Sequence, residues 1–195
     1  MECTAVICAA GGGSRMGQNK ALCHLDEHMT FLRSIVATIR RVVPQMAVMA
    51  VIGAQADEVM AVHGDLGIAW VKNRYWRSTH MLDSLACGLA KVSPGCGVLH
   101  WPVDCIGVDP NDLKKLLDAP DSDFTQLSYR QQPGHPVRIA PEMVCWIRKN
   151  VNRFVSLRDI MQNASCMQIE ATRGIALNCN DRAALTDFLA QRSRL

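Results

Sequence analysis

Short uninterrupted apolar runs alternate along the chain with longer segments in which apolar residues recur every three or four positions. Residues 5–9 form the first such run, and it gives way at once to Gly11, Gly12 and Gly13. A short apolar stretch with β-favouring residues, stopped by a glycine turn, predicts a buried strand. Thr30 stands where its hydroxyl can cap a helix whose apolar face is Phe31, Leu32, Ile35, Val36 and Ile39, closing before Pro44. The same reading predicts a strand at 47–52, a short helix at 55–62, a strand at 68–71, a helix at 81–91 and a strand at 97–101. The repeated order of β then α is that of an α/β domain with a mostly parallel sheet and helices on both faces.

From 124 to 139 the rhythm changes to two strand-like runs around Gln131-Gln132-Pro133-Gly134, which predicts a small antiparallel excursion between βα units. Pro141 is placed to open a helix, Ser156 to cap another, and a last helix is expected to start near Asp181. No repeat, low-complexity block or proline-rich linker divides the 195 residues, so a single domain over 1–195 is expected. Ligands of open α/β sheets bind beyond the carboxyl ends of the strands. That rule predicts that residues 10–20, Asn73, Asp104 and a Gly134-His135-Pro136 loop share one rim.

Composition narrows the function classes. A formal net charge of +3, without any lysine-arginine block, argues against a dedicated nucleic-acid binder and leaves a small acidic substrate compatible. The nine cysteines contain no Cys-x-x-Cys pair, so zinc-ribbon and thioredoxin readings lack support. Their odd number, their frequent place in apolar runs and the lack of an export signal lead us to expect reduced thiols in a soluble, cytoplasmic protein. No apolar run approaches the roughly 20 residues that span a bilayer, so no membrane partner is expected. The string His24-Leu25-Asp26-Glu27-His28 matches an inverted zinc-peptidase motif, but it sits in a polar connection before Thr30 rather than on a helix face, and zinc hydrolysis is not expected.

The glycine loop carries the chemistry. Residues without a Cβ can take positive φ and bring backbone N–H groups against a polyphosphate, and Arg15 and Lys20 supply counter-charge. A P-loop is ruled out because Gln18-Asn19, not Lys-Ser/Thr, follows Gly17. Gly11-x-Gly13 with a late Gly17 leaves a dinucleotide-dependent oxidoreductase open. That reading weakens where the second strand ends in Gly53-Ala54-Gln55, with no acid to hold a ribose hydroxyl.

The pattern Ala9-Ala10-Gly11-x-x-x-Arg15-Met16-Gly17-x-x-Lys20 closely resembles the signature loop of the small nucleotidyltransferases that mature the molybdenum cofactor. Asn73 with Met81-Leu82-Asp83-Ser84-Leu85-Ala86-Cys87-Gly88-Leu89 is similar to a second segment of that family, and Pro102-Val103-Asp104 to its acidic metal motif. Gly134-His135-Pro136-Val137 is similar to the Gly-His-Pro segment of its cytidylyltransferase branch, which together with Ala9-Ala10-Gly11 favours CTP over GTP. The resemblance implies a three-layer, Rossmann-like fold of the nucleotide-diphospho-sugar transferase type. It further implies an Mg²⁺-dependent enzyme that joins CMP from CTP to the terminal phosphate of molybdopterin, with release of pyrophosphate, and that can work with a molybdenum enzyme or its chaperone.

On this resemblance Arg15, Lys20 and Asp104 are the catalytic candidates. Nucleotide contacts fall to Ala9, Ala10, Gly11, Gly12, Gly13, Ser14, Arg15, Lys20, Gly53, Asn73 and Ser84. Gly134, His135 and Pro136 are assigned to the acceptor, and Asp104 and Asn178 to the metal. The chain departs from the family at His80, where glycine is usual, at Cys105-Ile106, and at Cys179-Asn180. These departures keep open an accessory nucleotide-binding protein without turnover, beside a guanylyltransferase or a sugar-phosphate nucleotidyltransferase of the same fold.

Overall fold

The N-terminal apolar run becomes β1 (Cys3–Ala9), and its alternating side chains are taken up by two separate apolar layers. Ala5, Ile7 and Ala9 join one layer, built chiefly on α1 (Phe31–Val42) and α4 (Pro110–Asp118). Val6 and Cys8 join the other, under α3 (Met81–Leu89) and α5 (Pro141–Asn150). A strand covered on both faces has no need of polar alternation, which is why β1 reads as a continuous apolar run.

The computed structural model describes residues 2–176 and 179–192. Seven strands form one sheet: β1, β2 (Ala47–Ile52), β3 (Ala69–Lys72), β4 (Gly97–Pro102), β5 (Phe124–Tyr129), β6 (Gln132–Ile139) and β7 (Cys166–Glu170). The remaining helices are α2 (Ala56–His63), α6 (Leu157–Met161) and α7 (Arg182–Arg192). The strand order is β3-β2-β1-β4-β6-β5-β7, parallel throughout except that β6 runs against both β4 and β5. Parallel β-α crossovers with helices on both faces give the three-layer α/β fold the sequence predicted.

Thr30 caps α1 as expected, accepting from the Arg33 N–H at 3.2 Å, and its hydroxyl meets His63 Nε2 at 2.7 Å across the α1–α2 contact. Ser156 caps α6, and Asp181 bonds the Ala184 N–H ahead of α7. Gly88 lets α3 lie directly on the sheet, since a Cβ there would stand 2.5 Å from Val6.

Two expectations need correction. The hairpin turns at Arg130-Gln131, whose φ values are +50° and +63°, rather than at 131–134. A two-residue turn with both residues left-handed matches the twist of the strands it joins. Gly134-His135-Pro136 therefore lies inside β6 rather than in a loop, with a cis His135–Pro136 bond. The sequence reading also passed over α4, opened by Asp109 and Pro110, and β7, which extends the sheet beside β5. Among the described residues no helix is long and apolar enough to cross a membrane.

Candidate active site

Pairing places the ends of three strands level with one another. Ala9 of β1 faces Ile52 of β2, and Cys8 faces Pro102 of β4, so the segments leaving them crowd one rim. The segment after β1 is shaped by its own backbone. Gly13 takes φ +61°, and its carbonyl accepts from the N–H groups of Met16 and Gly17. A Cβ at Gly13 would stand 1.8 Å from the Gln18 carbonyl oxygen, so the turn admits no side chain there.

Asn19, fully buried, fixes the far end of the loop. Its amide donates to the Ala9 and Ala54 carbonyls at 3.0 and 2.8 Å, and its oxygen accepts from the Ala21 N–H. Lys20 is thereby held beneath the loop, where its Nζ donates to Asp104 Oδ2 at 2.8 Å and to Asn180 Oδ1 at 2.6 Å. Asp104 leaves the end of β4, and its carbonyl accepts from the Cys179 N–H, which sets Asn180 beside it. Three segments distant in sequence thus meet on one ammonium group.

Around this cluster lies a cavity of about 360 Å³ lined by residues 8–15, Lys20 and Asp104, with Trp76, His80 and Ser84 opposite. The structure therefore brings together Ala9, Ala10, Gly11, Gly12, Gly13, Ser14, Arg15, Lys20, Ser84 and Asp104. Gly53 and Asn73 stand behind the wall instead. A Cβ on Gly53 would meet Trp76 at 2.5 Å, so this glycine lets the indole pack. Asn73 is buried, donating to Thr79 and Ser84 hydroxyls and accepting from the Tyr75 N–H, and so organises the loop into α3. Asn178 lies outside the described residues.

A second cavity of about 700 Å³ adjoins the first, with His80 and Met81 lining both. Its wall includes Gly134 and His135 of β6, but not Pro136. His135 packs edge-on to His100, ring centres 5.4 Å apart. Burial holds the His135 imidazole down to about 4, against a weaker opposing pull from Asp104, and burial also pushes His100 well below its ordinary value. Both rings are neutral near pH 7. A thiol neighbour, Cys8, sits 3.8 Å from His100 Nδ1, and burial pushes it up to about 12, so it is no nucleophile.

Sequence reasoning missed Asn180 and Trp76. For the first, the signal was a polar residue directly beside Cys179, which is buried. Among the described residues no cluster of three His, Cys, Asp or Glu side chains is arranged to hold a metal. The His24–His28 string forms a tight turn in which Asp26 caps the His28 and Met29 N–H groups.

The seven-stranded, mostly parallel sheet with helices on both faces is an α/β fold of the nucleotide-diphospho-sugar transferase-like type. Residues 5–167 match the MobA-like NTP transferase domain family, and the chain belongs to that family. A nucleotidyl transferase from Methanothermobacter thermautotrophicus superposes with a TM-score of 0.80 at 19% identity, covering 98% of each chain. The Rv0371c protein of Mycobacterium tuberculosis, solved in complex with manganese, gives 0.76 at 18% identity over 97% of this chain and 99% of that one. Molybdopterin-guanine dinucleotide biosynthesis protein A from Archaeoglobus fulgidus gives 0.71 at 11% identity over 98% and 100%. At these identities the likeness is one of fold. No curated protein sequence matches the chain.

Proposed function

We propose that this protein transfers CMP from CTP to the terminal phosphate of molybdopterin. The observation that carries the reading is the pair of adjoining cavities, one walled by the glycine loop with Lys20 and Asp104, the other larger and more apolar, meeting at His80–Met81. Backbone N–H groups of residues 11–14, with Arg15 and Lys20, cradle the triphosphate. An acceptor phosphate oxygen attacks the α-phosphorus, the bond to the bridging oxygen breaks, and pyrophosphate leaves with its electron pair. Positioning and charge neutralisation supply most of such a rate enhancement.

The donor set fits Mg²⁺ that arrives with the triphosphate. Asp104 offers one carboxylate and Asn180 one amide oxygen, both already turned toward a positive charge on Lys20, while phosphates and water would complete the shell that this hard cation prefers. When bound, the ion offsets negative charge on the phosphates. The choice of CTP rests on Ala9-Ala10-Gly11 and Gly134-His135-Pro136.

The test is a thermal-shift panel of CTP, GTP, ATP, UTP and NADPH with and without Mg²⁺, followed by pyrophosphate release with molybdopterin. A ligand at roughly 100 times its dissociation constant adds about 2.7 kcal/mol of stability. Selective stabilisation by CTP with Mg²⁺, and transfer abolished by excess chelator, are expected. Stabilisation by GTP alone moves the protein to the guanylyl branch, and transfer undiminished in chelator removes the metal.

A further inference from the structure

On the face of the sheet beneath α3, adjacent strands pair residue by residue. One row across β4, β6 and β5 is Val98, Ile139 and Phe124, all buried and apolar. Two residues nearer the rim the row becomes His100, Val137 and Gln126, and His135 follows on β6. The same face that builds the core thus turns polar where it becomes the floor of the 700 Å³ cavity.

Two of these polar groups lack a hydrogen-bond partner, and one of them is costly where it stands. Gln126 is about nine-tenths buried, and its carboxamide makes no hydrogen bond to any described residue. His135 Nδ1 is buried without a partner. Buried polar atoms are nearly always paired, and an orphan such as His135 Nδ1 costs about 1–3 kcal/mol, so this atom, with the unbonded Gln126 carboxamide lining the same cavity, points to a ligand that completes their bonding. The surrounding walls, including Leu82, Leu85, Val155 and Met161, are apolar.

We propose that Gln126, His135 and His100 form a specificity row that reads the uncharged, hydrogen-bonding edge of a planar heterocycle in the acceptor. This rests on the acceptor reading given above and adds the residues that enforce it. A carboxamide offers both donor and acceptor, and a neutral imidazole offers one of each, which matches an amide-type ring edge. Burial keeps both rings neutral, so the row is ill suited to a phosphate. A site that hydrogen-bonds its substrate rejects analogues lacking those groups, because its own buried atoms would be left unpaired.

The experiment uses the full chain and a stable, phosphate-free probe, 6-hydroxymethylpterin, followed by fluorescence quenching beside glucose 1-phosphate. Wild type should bind the pterin and not the sugar. Gln126→Leu should weaken pterin binding about tenfold or more. The melting temperature and the CTP-induced shift should stay as in wild type, a separation that a purely structural role would not give. Gln126→Glu is the second variant, should the leucine disturb β5, and it should weaken the pterin by exchanging a donor for charge. Pterin binding unchanged in both variants overturns the specificity row and leaves the acceptor reading standing. Binding of the sugar phosphate without the pterin, or of neither, overturns the row together with that reading.

Discussion

Burial of His135 has a measurable consequence for stability. Its imidazole is held near 4 in the folded protein against an ordinary 6.5, because burial disfavours the charged ring. As pH falls through 6.5 the unfolded chain takes up this proton first, so folding stability is unaffected above that pH and is lost on the way down toward 4. Linkage puts the loss from this one group at about 0.2 kcal/mol at pH 7 and about 2 kcal/mol at pH 5. Urea unfolding at both pH values, in metal-free and nucleotide-free buffer, measures it by linear extrapolation. The comparison is with His135→Gln, which keeps a hydrogen-bonding side chain and removes the titration. Wild type should lose about 2 kcal/mol more than the variant between pH 7 and pH 5. His100 titrates in both proteins and largely cancels. Equal losses in the two proteins would refute the argument that the ring is desolvated in the fold.

Gly13→Ala should destabilise by about 2 kcal/mol or more, from a left-handed alanine together with a Cβ placed 1.8 Å from the Gln18 oxygen, and should abolish nucleotide-induced thermal shifts. Wild-type melting behaviour in that variant would show the loop to be plastic. Lys20→Ala should lose the triphosphate-induced shift while the free protein still folds cooperatively, as checked by calorimetry; unchanged CTP affinity removes this residue from the site. Asn180→Ala leaves Lys20 paired with Asp104 and should raise the KM for nucleotide about fivefold, near 1 kcal/mol for one charge-assisted bond. Unchanged steady-state kinetics would make Asn180 a bystander.

The α/β architecture was legible because both faces of β1, β2 and β4 are buried, and strands of that kind announce themselves as apolar runs. Residues 9–15, Lys20 and Asp104 were legible because glycine, cation and acid stand at strand ends, where chemistry collects on this type of sheet. β7 was not, since its burial alternates weakly at the sheet's edge and its composition carries no strand signal. Asn73 and Gly53 were read as ligand contacts because polarity and small size look alike whether they serve a ligand or a neighbour. Only the third dimension shows that Asn73 ties down its own loop and that Gly53 makes room for Trp76. The Arg130-Gln131 turn was misplaced because Pro133-Gly134 is the stronger turn signal, and neither arginine nor glutamine favours positive φ.

His100 and Gln126 were passed over for a related reason. A lone polar residue in an apolar strand is easily discounted, yet the register makes two such residues neighbours of Val137 in one row. The charge balance of the site follows from the same kind of local exchange. Lys20 faces one carboxylate and one amide, so the cluster of the three is neutral before any substrate enters. A second carboxylate at position 180 would make it anionic and favour a cation on its own. With an amide there, in the proposed function, attraction for a divalent ion would depend on the phosphates that come with it, and the ammonium of Lys20 could be drawn from Asp104 to the triphosphate without stranding an extra charge. In the proposed function, an amide rather than a second acid at position 180 is thus a reason for metal and nucleotide to bind together.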